Sequence, residues 1–417
     1  MKGHQCKGSQ TSMDLATTSV ISLPHQLGGS NSVADLPSVE SPVAVARPLR
    51  IGQVELTSPA VQAALSGYSD WPMRTIARRM GASYSLAEVM LETFVRQQRR
   101  GRSRTAHHLR VSDDDFPVGG QLMGSDPEQF APAARVLVEA GFHVIDINFG
   151  CPVKSAMGGC RGGYHLSQPE VALEIVSRVR DAVPTGIPVT LKMRRGIDET
   201  SESRDRFFAI LDGAITRGVD AITVHGRTVV QKYNGPSRWE FLKEVKEHAG
   251  SHTIIGSGDL FSAEACLRMI DQTGVDGVSV ARGAIGNPWI FTQFNALWKG
   301  QPLPLPPTVC EQADVLQEHF ALAEECYGKD RCVGQMKKFS IKYARLHPDH
   351  ARVRDAFVLV RSQDDWNAVI DRWYTDDRPG QYPEVDEAQV CTTDSSCSSF
   401  TADRSAESDK AESEPAR

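Results

Sequence analysis

Residues 189–228 read VTLKMRRGIDETSESRDRFFAILDGAITRGVDAITVHGRT. A short apolar run, Val189–Met193, stops at basic residues. An amphipathic stretch, Arg204–Arg217, follows with apolar residues at helical spacing, and a second short run, Ala221–His225, comes next. Strand, helix, strand in this order and at these lengths is one βα unit entering another.

The alternation continues in both directions. Further apolar runs lie at Ala63–Leu65, Ser83–Val89, Val118–Met123, Val144–Asn148, Thr253–Gly256 and Gly277–Val280. Helical spacing recurs at Pro127–Ala140, Pro169–Val183, Arg238–His248, Ala263–Gln272 and Pro288–Trp298. The stretch from Ser125-Asp126-Pro127 to Gly141 carries both a start and a stop signal. Eight such units predict a (β/α)8 TIM barrel over residues 49–300. A doubly wound sheet fits less well, because no Gly-x-Gly-x-x-Gly opens a helix after the first strand. Beyond a proline-rich linker, Pro302–Pro307, the strand signal stops. Helical spacing at Asp314–Cys326, Gly334–Tyr343 and Val353–Tyr374 predicts a small C-terminal all-α domain over residues 308–375. Residues 1–48, rich in Ser, Val, Pro and Gly, and the Ser/acidic residues 384–417 read as disordered tails.

The net charge of −6 is misleading as an average, because residues 375–417 hold eleven Asp/Glu against four Lys/Arg, or −7. The remainder carries −6 + 7 = +1, which leaves room for a local basic face toward nucleic acid. No run of about 18 apolar residues predicts a membrane span. No basic-then-apolar leader predicts secretion, so a cytoplasmic protein is expected. The nine cysteines form no CxxC pair and show no zinc-site spacing, so no metal is expected and most read as incidental thiols in a reducing compartment. Oligomeric state is open, with a monomer as the default.

A barrel places its active site at the C-terminal ends of its strands. The polar residues that end the apolar runs are Gln121, Asn148, Lys192 with Arg194, His225 with Arg227, Asp259 and Arg282. Each alone reads as an ordinary barrel-mouth residue; together they read as a ligand site. The loops Ser257-Gly258-Asp259 and Ala281-Arg282-Gly283-Ala284 occupy the places where barrels often bind phosphate, although ordinary tight turns would look the same. Lys192 could hold an anionic flavin or form a Schiff base. Cys151, in Gly150-Cys151-Pro152 before a glycine-dense lid at 157–163, could donate a proton or act as a nucleophile.

Several motifs resemble those of tRNA-dihydrouridine synthases. They are LSGYSDWPMR (65–74), VGGQLMG (118–124), INFGCPVKSAMGGCRGGYHLSQPE (147–170), VTLKMRRG (189–196), ITVHGRT (222–228), YNGPSRW (233–239), IIGSGDLFSAEA (254–265) and VARGAIGNPWIF (280–291). In the C-terminal region KKFSIKYARLHP and DRWY are also similar, so the resemblance spans roughly residues 60–375. It implies an oxidoreductase acting on a CH–CH group with NAD(P). FMN in the barrel mouth, reduced by NADPH, would pass hydride from N5 to C6 of uridine in tRNA, giving 5,6-dihydrouridine. Cys151 matches the cysteine that protonates C5. Ala64, Leu65, Ser66, Gln121, Lys192, His225, Ser257, Gly258, Asp259, Ala281 and Arg282 match flavin-binding positions. Asn148 and Arg194 match positions near the uracil or flavin edge. Lys337, Lys338, Lys342 and Arg345 are the phosphate-contact candidates of the helical domain, although a solvated helix face would carry the same charges.

Three positions depart from the family pattern: Ala64-Leu65 replaces a Pro-Met pair, Ala281 replaces a glycine, and Tyr164-His165-Leu166 replaces a lid ending in two leucines. The last leaves Cys160 and His165 ambiguous. The competing readings are another barrel enzyme (a small-molecule FMN oxidoreductase or a Lys192 Schiff-base lyase) and a catalytically silent RNA-binding relative. A yellow purified protein excludes the lyase; intact Cys151, Lys192 and His225 argue against silence. Deleting residues 1–48 and 385–417 is expected to leave a folded, active protein, checked by tRNA turnover. An unfolded or colourless product would refute the reading of both tails as dispensable.

Overall fold

The computed structural model describes residues 48–98 and 107–383. Residues 1–47 of the first predicted tail and all of the second lie outside them. Eight parallel strands close into a barrel. They are β3 (Ala60–Gln62), β4 (Ser85–Leu86), β6 (Val118–Met123), β7 (Val144–Phe149), β8 (Val189–Arg194), β9 (Ala221–His225), β10 (Thr253–Ser257) and β11 (Gly277–Val280). Closure runs through β11 to β3, with Ser279 opposite Val61, and through β4 to β6, with Ser85 opposite Val118. A short β5 (Met90–Leu91) pairs with the end of β6.

A hairpin of β1 (Leu49–Ile51) and β2 (Val54–Leu56), too short to show in the sequence pattern, precedes the barrel. Leu49, Ile51 and Leu56 pack with Val61, Tyr84, Leu86, Val144, Ala221 and Ile255, sealing the barrel at the N-terminal ends of its strands. The other strand faces bury Ile145, Ile147, Phe149, Leu191, Met193, Ile222 and Val224 against the helices. Both faces are covered, which is why these strands read as nearly continuous apolar runs.

Six predicted barrel helices are present with ends shifted by a few residues: α3 (Pro127–Glu139), α5 (Pro169–Ala182), α6 (Ser201–Thr216), α7 (Trp239–Ala249), α8 (Ala263–Thr273) and α9 (Trp289–Trp298). Asp126, Thr200 and Ser262 cap α3, α6 and α8 by accepting from backbone N–H groups of their first turns. Helices α1 (Trp71–Arg79) and α2 (Glu92–Gln98) lie outside the stretches of helical spacing, and α4 (Lys154–Gly158) overlaps the predicted lid. The first strand is Ala60–Gln62 rather than Ala63–Leu65, so Ala64, Leu65 and Ser66 lie in the loop that follows it. Ala63 N–H still donates to Val280 O, so apolar residues on both sides of the true end had blurred it.

The C-terminal region forms α10 (Val309–Tyr327), α11 (Lys329–Tyr343), α12 (His350–Leu359) and α13 (Gln363–Trp373). The single helix expected over 353–374 is broken because Ser362 and Asp365 form a capping box that starts α13 afresh. The barrel and these helices share one continuous core. At their junction Tyr327 Oη donates to Asp70 Oδ2 at 2.7 Å, and Asp70 also caps α1. Burial lifts the Asp70 pKa to about 6. Ion pairs Arg79–Glu318 and Arg110–Glu325 flank this contact. Arg345 Nη2 donates to Ile285 O at 2.8 Å, and a Cβ on Gly286 would run into the backbone of Lys342 and Tyr343.

The most buried ion pair anchors α1. Arg74 donates through Nε and Nη2 to Asp115 Oδ2 (2.9 and 2.7 Å) and through Nη1 to Ser69 O (3.2 Å). Asp115→Ala would leave the guanidinium buried and unpaired. It is expected to cost about 3–5 kcal/mol of stability in urea denaturation. A loss below about 1 kcal/mol would mean that the barrel relaxes to hydrate Arg74.

Candidate active site

Strand alternation decides what lines the barrel. Val144, Ala221 and Ile255 belong to the sealed apolar layer. Two residues further along, Asp146, Thr223 and Ser257 share their face; two further again come Asn148 and His225. Register sets Asn148 beside Lys192 on the neighbouring strand and Arg194 beside His225. Asn148, Lys192, Arg194 and His225 of the predicted ring therefore stand side by side, above a polar layer.

That layer feeds a directed chain of hydrogen bonds. Thr190 Oγ1 donates to Asp146 Oδ1 at 2.5 Å, and Gln121 Nε2 donates to Asp146 Oδ2 at 2.6 Å. Asn148 Nδ2 donates to Gln121 Oε1 at 2.7 Å. Asn148 Oδ1 then accepts from the N–H groups of Gly150 (2.9 Å) and Cys151 (3.1 Å), an Asx turn at the end of β7. Cys151 is partly buried on this turn. The lid lies directly over it. Gly163 N–H donates to Cys151 O at 3.0 Å, and Gly162 needs its φ of +59° and its missing side chain, because a Cβ would sit 2.8 Å from Cys151 Cβ. His165 is buried and ties the lid to Gly124 O at 2.8 Å, which gives this departure from the family pattern a structural role. Cys160 is exposed.

Positive charge concentrates at the mouth. Desolvation, then Arg194, lowers the Lys192 pKa to about 8. Burial, then neighbouring cations, lowers Arg194 to about 10. Burial and the cations Arg194, Lys192, Arg227 and Arg282 push His225 well below its ordinary value, so its imidazole is neutral at pH 7. The Arg227 N–H donates to His225 Nδ1 at 3.2 Å, which leaves the proton on Nε2. Arg282 lies over the rings of Tyr233 (5.5 Å) and Phe261 (5.0 Å).

Some predicted residues are committed elsewhere in the fold. The Asp259 carboxylate accepts from Arg227 Nη2 (2.7 and 2.9 Å) and from Ser237 N–H (2.7 Å), so its side chain braces the loop. Gly258 and Gly283 serve the protein's own packing, since a Cβ would overlap Ser237 Oγ at the first and Leu260 O at the second. Arg194 Nη1 donates to Thr228 O (2.7 Å) and Lys232 O (2.6 Å), and its Nε to Gly150 O (3.0 Å). It clamps the loop after β9 to the cysteine turn. Lys337 donates to Val360 O at 3.0 Å, Lys338 to Gly67 O, and Arg345 Nε to Lys342 O at 3.2 Å. Sequence reading missed Asp146, Thr190 and Tyr233; for Asp146, the period-two step back from Asn148 was the available signal. Among the described residues, no cluster of three or more His, Cys, Asp or Glu could hold a metal, and no helix is long and apolar enough to cross a membrane.

The sequence model of the family described as Dihydrouridine synthase (Dus) matches residues 61–375. This chain belongs to the dihydrouridine synthase family. It is 32% identical over 335 residues to a probable tRNA-dihydrouridine synthase of Mycobacterium tuberculosis, covering 78% of this chain and 84% of that one. A Rickettsia conorii protein of the same description is 31% identical over 327 residues, covering 78% and 96%. The tRNA-dihydrouridine synthase B of Pasteurella multocida is 32% identical over 313 residues, covering 75% and 91%.

The depressed pKa of Lys192 can be measured directly. Below about pH 8 its amine is charged and unreactive, and above it the amine is neutral. Acylation of Lys192 in ligand-free protein is therefore expected to rise through pH 8, about two units before surface lysines. A midpoint above 10 would show that the mouth does not desolvate it.

Proposed function

We propose that this protein reduces the C5–C6 bond of uridine in tRNA to 5,6-dihydrouridine, with FMN as cofactor and NADPH as reductant, in the cytoplasm. The observation that carries this reading is the pairing of a partly buried Cys151, fixed on its turn, with the cationic mouth of Lys192, Arg194 and Arg282. Basic side chains gathered in a desolvated mouth, with few carboxylates to neutralise them, fit an anionic, phosphate-bearing group. Lys192 would hold the pyrimidine edge of FMN; Arg282 and the backbones of 257–259 and 281–283 would hold its phosphate; Ala64, Leu65 and Ser66 would line its ring through backbone. Bound there, FMN would supply hydride to uracil C6.

The chain's own residues do the rest. Adding hydride to C6 builds negative charge at C5 and O4 of the ring. Cys151 supplies the proton to C5 from the turn that Asn148 holds. Neutral His225 offers Nε2–H as a hydrogen-bond donor without competing for that proton. Lys192 and Arg194 stabilise the developing anion in a medium of low dielectric. The lid, bonded to Cys151 O through Gly163 N–H, would shield the turn from water once substrate is bound. A uridine must leave its stack to reach this depth, costing a few kcal/mol, which phosphate contacts from Lys337, Lys338, Lys342 and Arg345 offset. Of these, Lys338 and Arg345 already brace the barrel–helix junction, so they contribute to binding partly by holding that junction.

Cys151→Ala is expected to retain bound flavin and its reduction by NADPH while turnover on unmodified tRNA falls by about a hundredfold or more, the usual range for losing a general acid. Near-normal turnover in this variant would remove Cys151 from the mechanism.

A further inference from the structure

The hydrogen-bond chain beneath Cys151 has a direction, and it is set at its two ends. Gln121 and Asn148 are primary amides; each can turn either end toward its neighbour. The backbone N–H groups of Gly150 and Cys151 accept only one arrangement, with Asn148 presenting Oδ1. Asn148 Nδ2 must then face an acceptor, so Gln121 must present Oε1, and Gln121 Nε2 must in turn face an acceptor. The last acceptor is Asp146, buried at 1% exposure, its other oxygen taken by Thr190 Oγ1. A carboxylate has no donor end, so it cannot reverse. Of the three side chains only Asp146 lacks a donor end; the two amides take their direction from it and from the backbone N–H groups at the other end.

We propose that Asp146 is a positioning residue for the reaction: by accepting from Gln121 it fixes the polarity of both amides and so holds the Asn148 carbonyl oxygen on the turn that carries Cys151. This rests on the reading of Cys151 as the proton donor. Asp146→Asn keeps the shape but replaces the fixed acceptor by a reversible amide. The new amide can keep its oxygen toward the donating Thr190 hydroxyl only by turning its nitrogen toward Gln121; Gln121 then reverses and Asn148 Nδ2 meets two N–H donors, so the two ends of the chain compete and the turn loosens. Adding Gln121→Glu restores the direction, because a carboxylate at position 121 accepts from the new amide at position 146 on one side and from Asn148 on the other.

The test uses the purified full chain and the alkylation rate of Cys151 by iodoacetamide. Cleavage after Lys154 separates the peptide of Cys151 from that of the exposed Cys160, which serves as internal reference. Asp146→Asn is expected to change the Cys151:Cys160 ratio by about three- to tenfold, the scale of losing one or two hydrogen bonds, with buried Cys266 still unreactive. The double variant Asp146→Asn, Gln121→Glu is expected to return the ratio to within about twofold of the parent. If Asp146→Asn does not fold, Gln121→Met, which cuts the chain while sparing the carboxylate, is expected to move the ratio likewise. An unchanged ratio in the folded variant overturns the proposal, and a ratio that the double variant does not restore overturns the polarity argument. Both outcomes are independent of turnover, so they stand apart from the Cys151→Ala result, which alone decides whether Cys151 donates the proton.

Discussion

The register of the parallel strands is the constraint on which the rest depends. Parallel neighbours have no tight turn to hold them in step, and a slip of one residue would exchange every inward side chain for an outward one. Here the step is held at the closed end of the barrel, where Leu49, Ile51 and Leu56 of the β1–β2 hairpin meet Val144, Ala221 and Ile255. Once those apolar residues face inward, alternation places Asp146 and Asn148, Thr223 and His225, and Ser257 on the same lining. The site is thus specified from the opposite end of the barrel by residues that never approach a ligand.

Much of this was legible in the chain. Strand ends carry their chemistry at the point where an apolar run stops, so Gln121, Asn148, Lys192 and His225 could be read as one ring. Period two and period 3.6 separated strands from helices wherever both were long. They failed where elements were short or apolar on both sides: the hairpin, α1 and the three residues of β3. They also failed at 360–362, where a capping box rather than periodicity decides that one helix ends and another begins.

What sequence could not show is what each polar group is bonded to. Arg194, Asp259 and Lys338 have the right residue type at the right place to meet a ligand, yet each is engaged with backbone or with a fixed partner. A charge in a linear motif announces affinity but not direction. Conversely Asp146 sits inside an apolar run, where a lone carboxylate reads as an exception, and its meaning emerges only from Gln121 and Thr190 on the strands either side. Buried polar groups must be satisfied, so once one is found its partners trace the network outward.

The junction between barrel and helices has a consequence of its own. Tyr327 on Asp70, Arg345 on Ile285, and Gly286 pressed against the backbone of α11 bind the two parts at three places along their seam. Their gape is set when the chain folds, as the jaws of a fixed gauge are set when it is made. A polynucleotide spanning both would be sorted by whether its bend and diameter suit that opening. Little conformational entropy remains to be lost on the protein's side, and the adjustment falls to the nucleic acid.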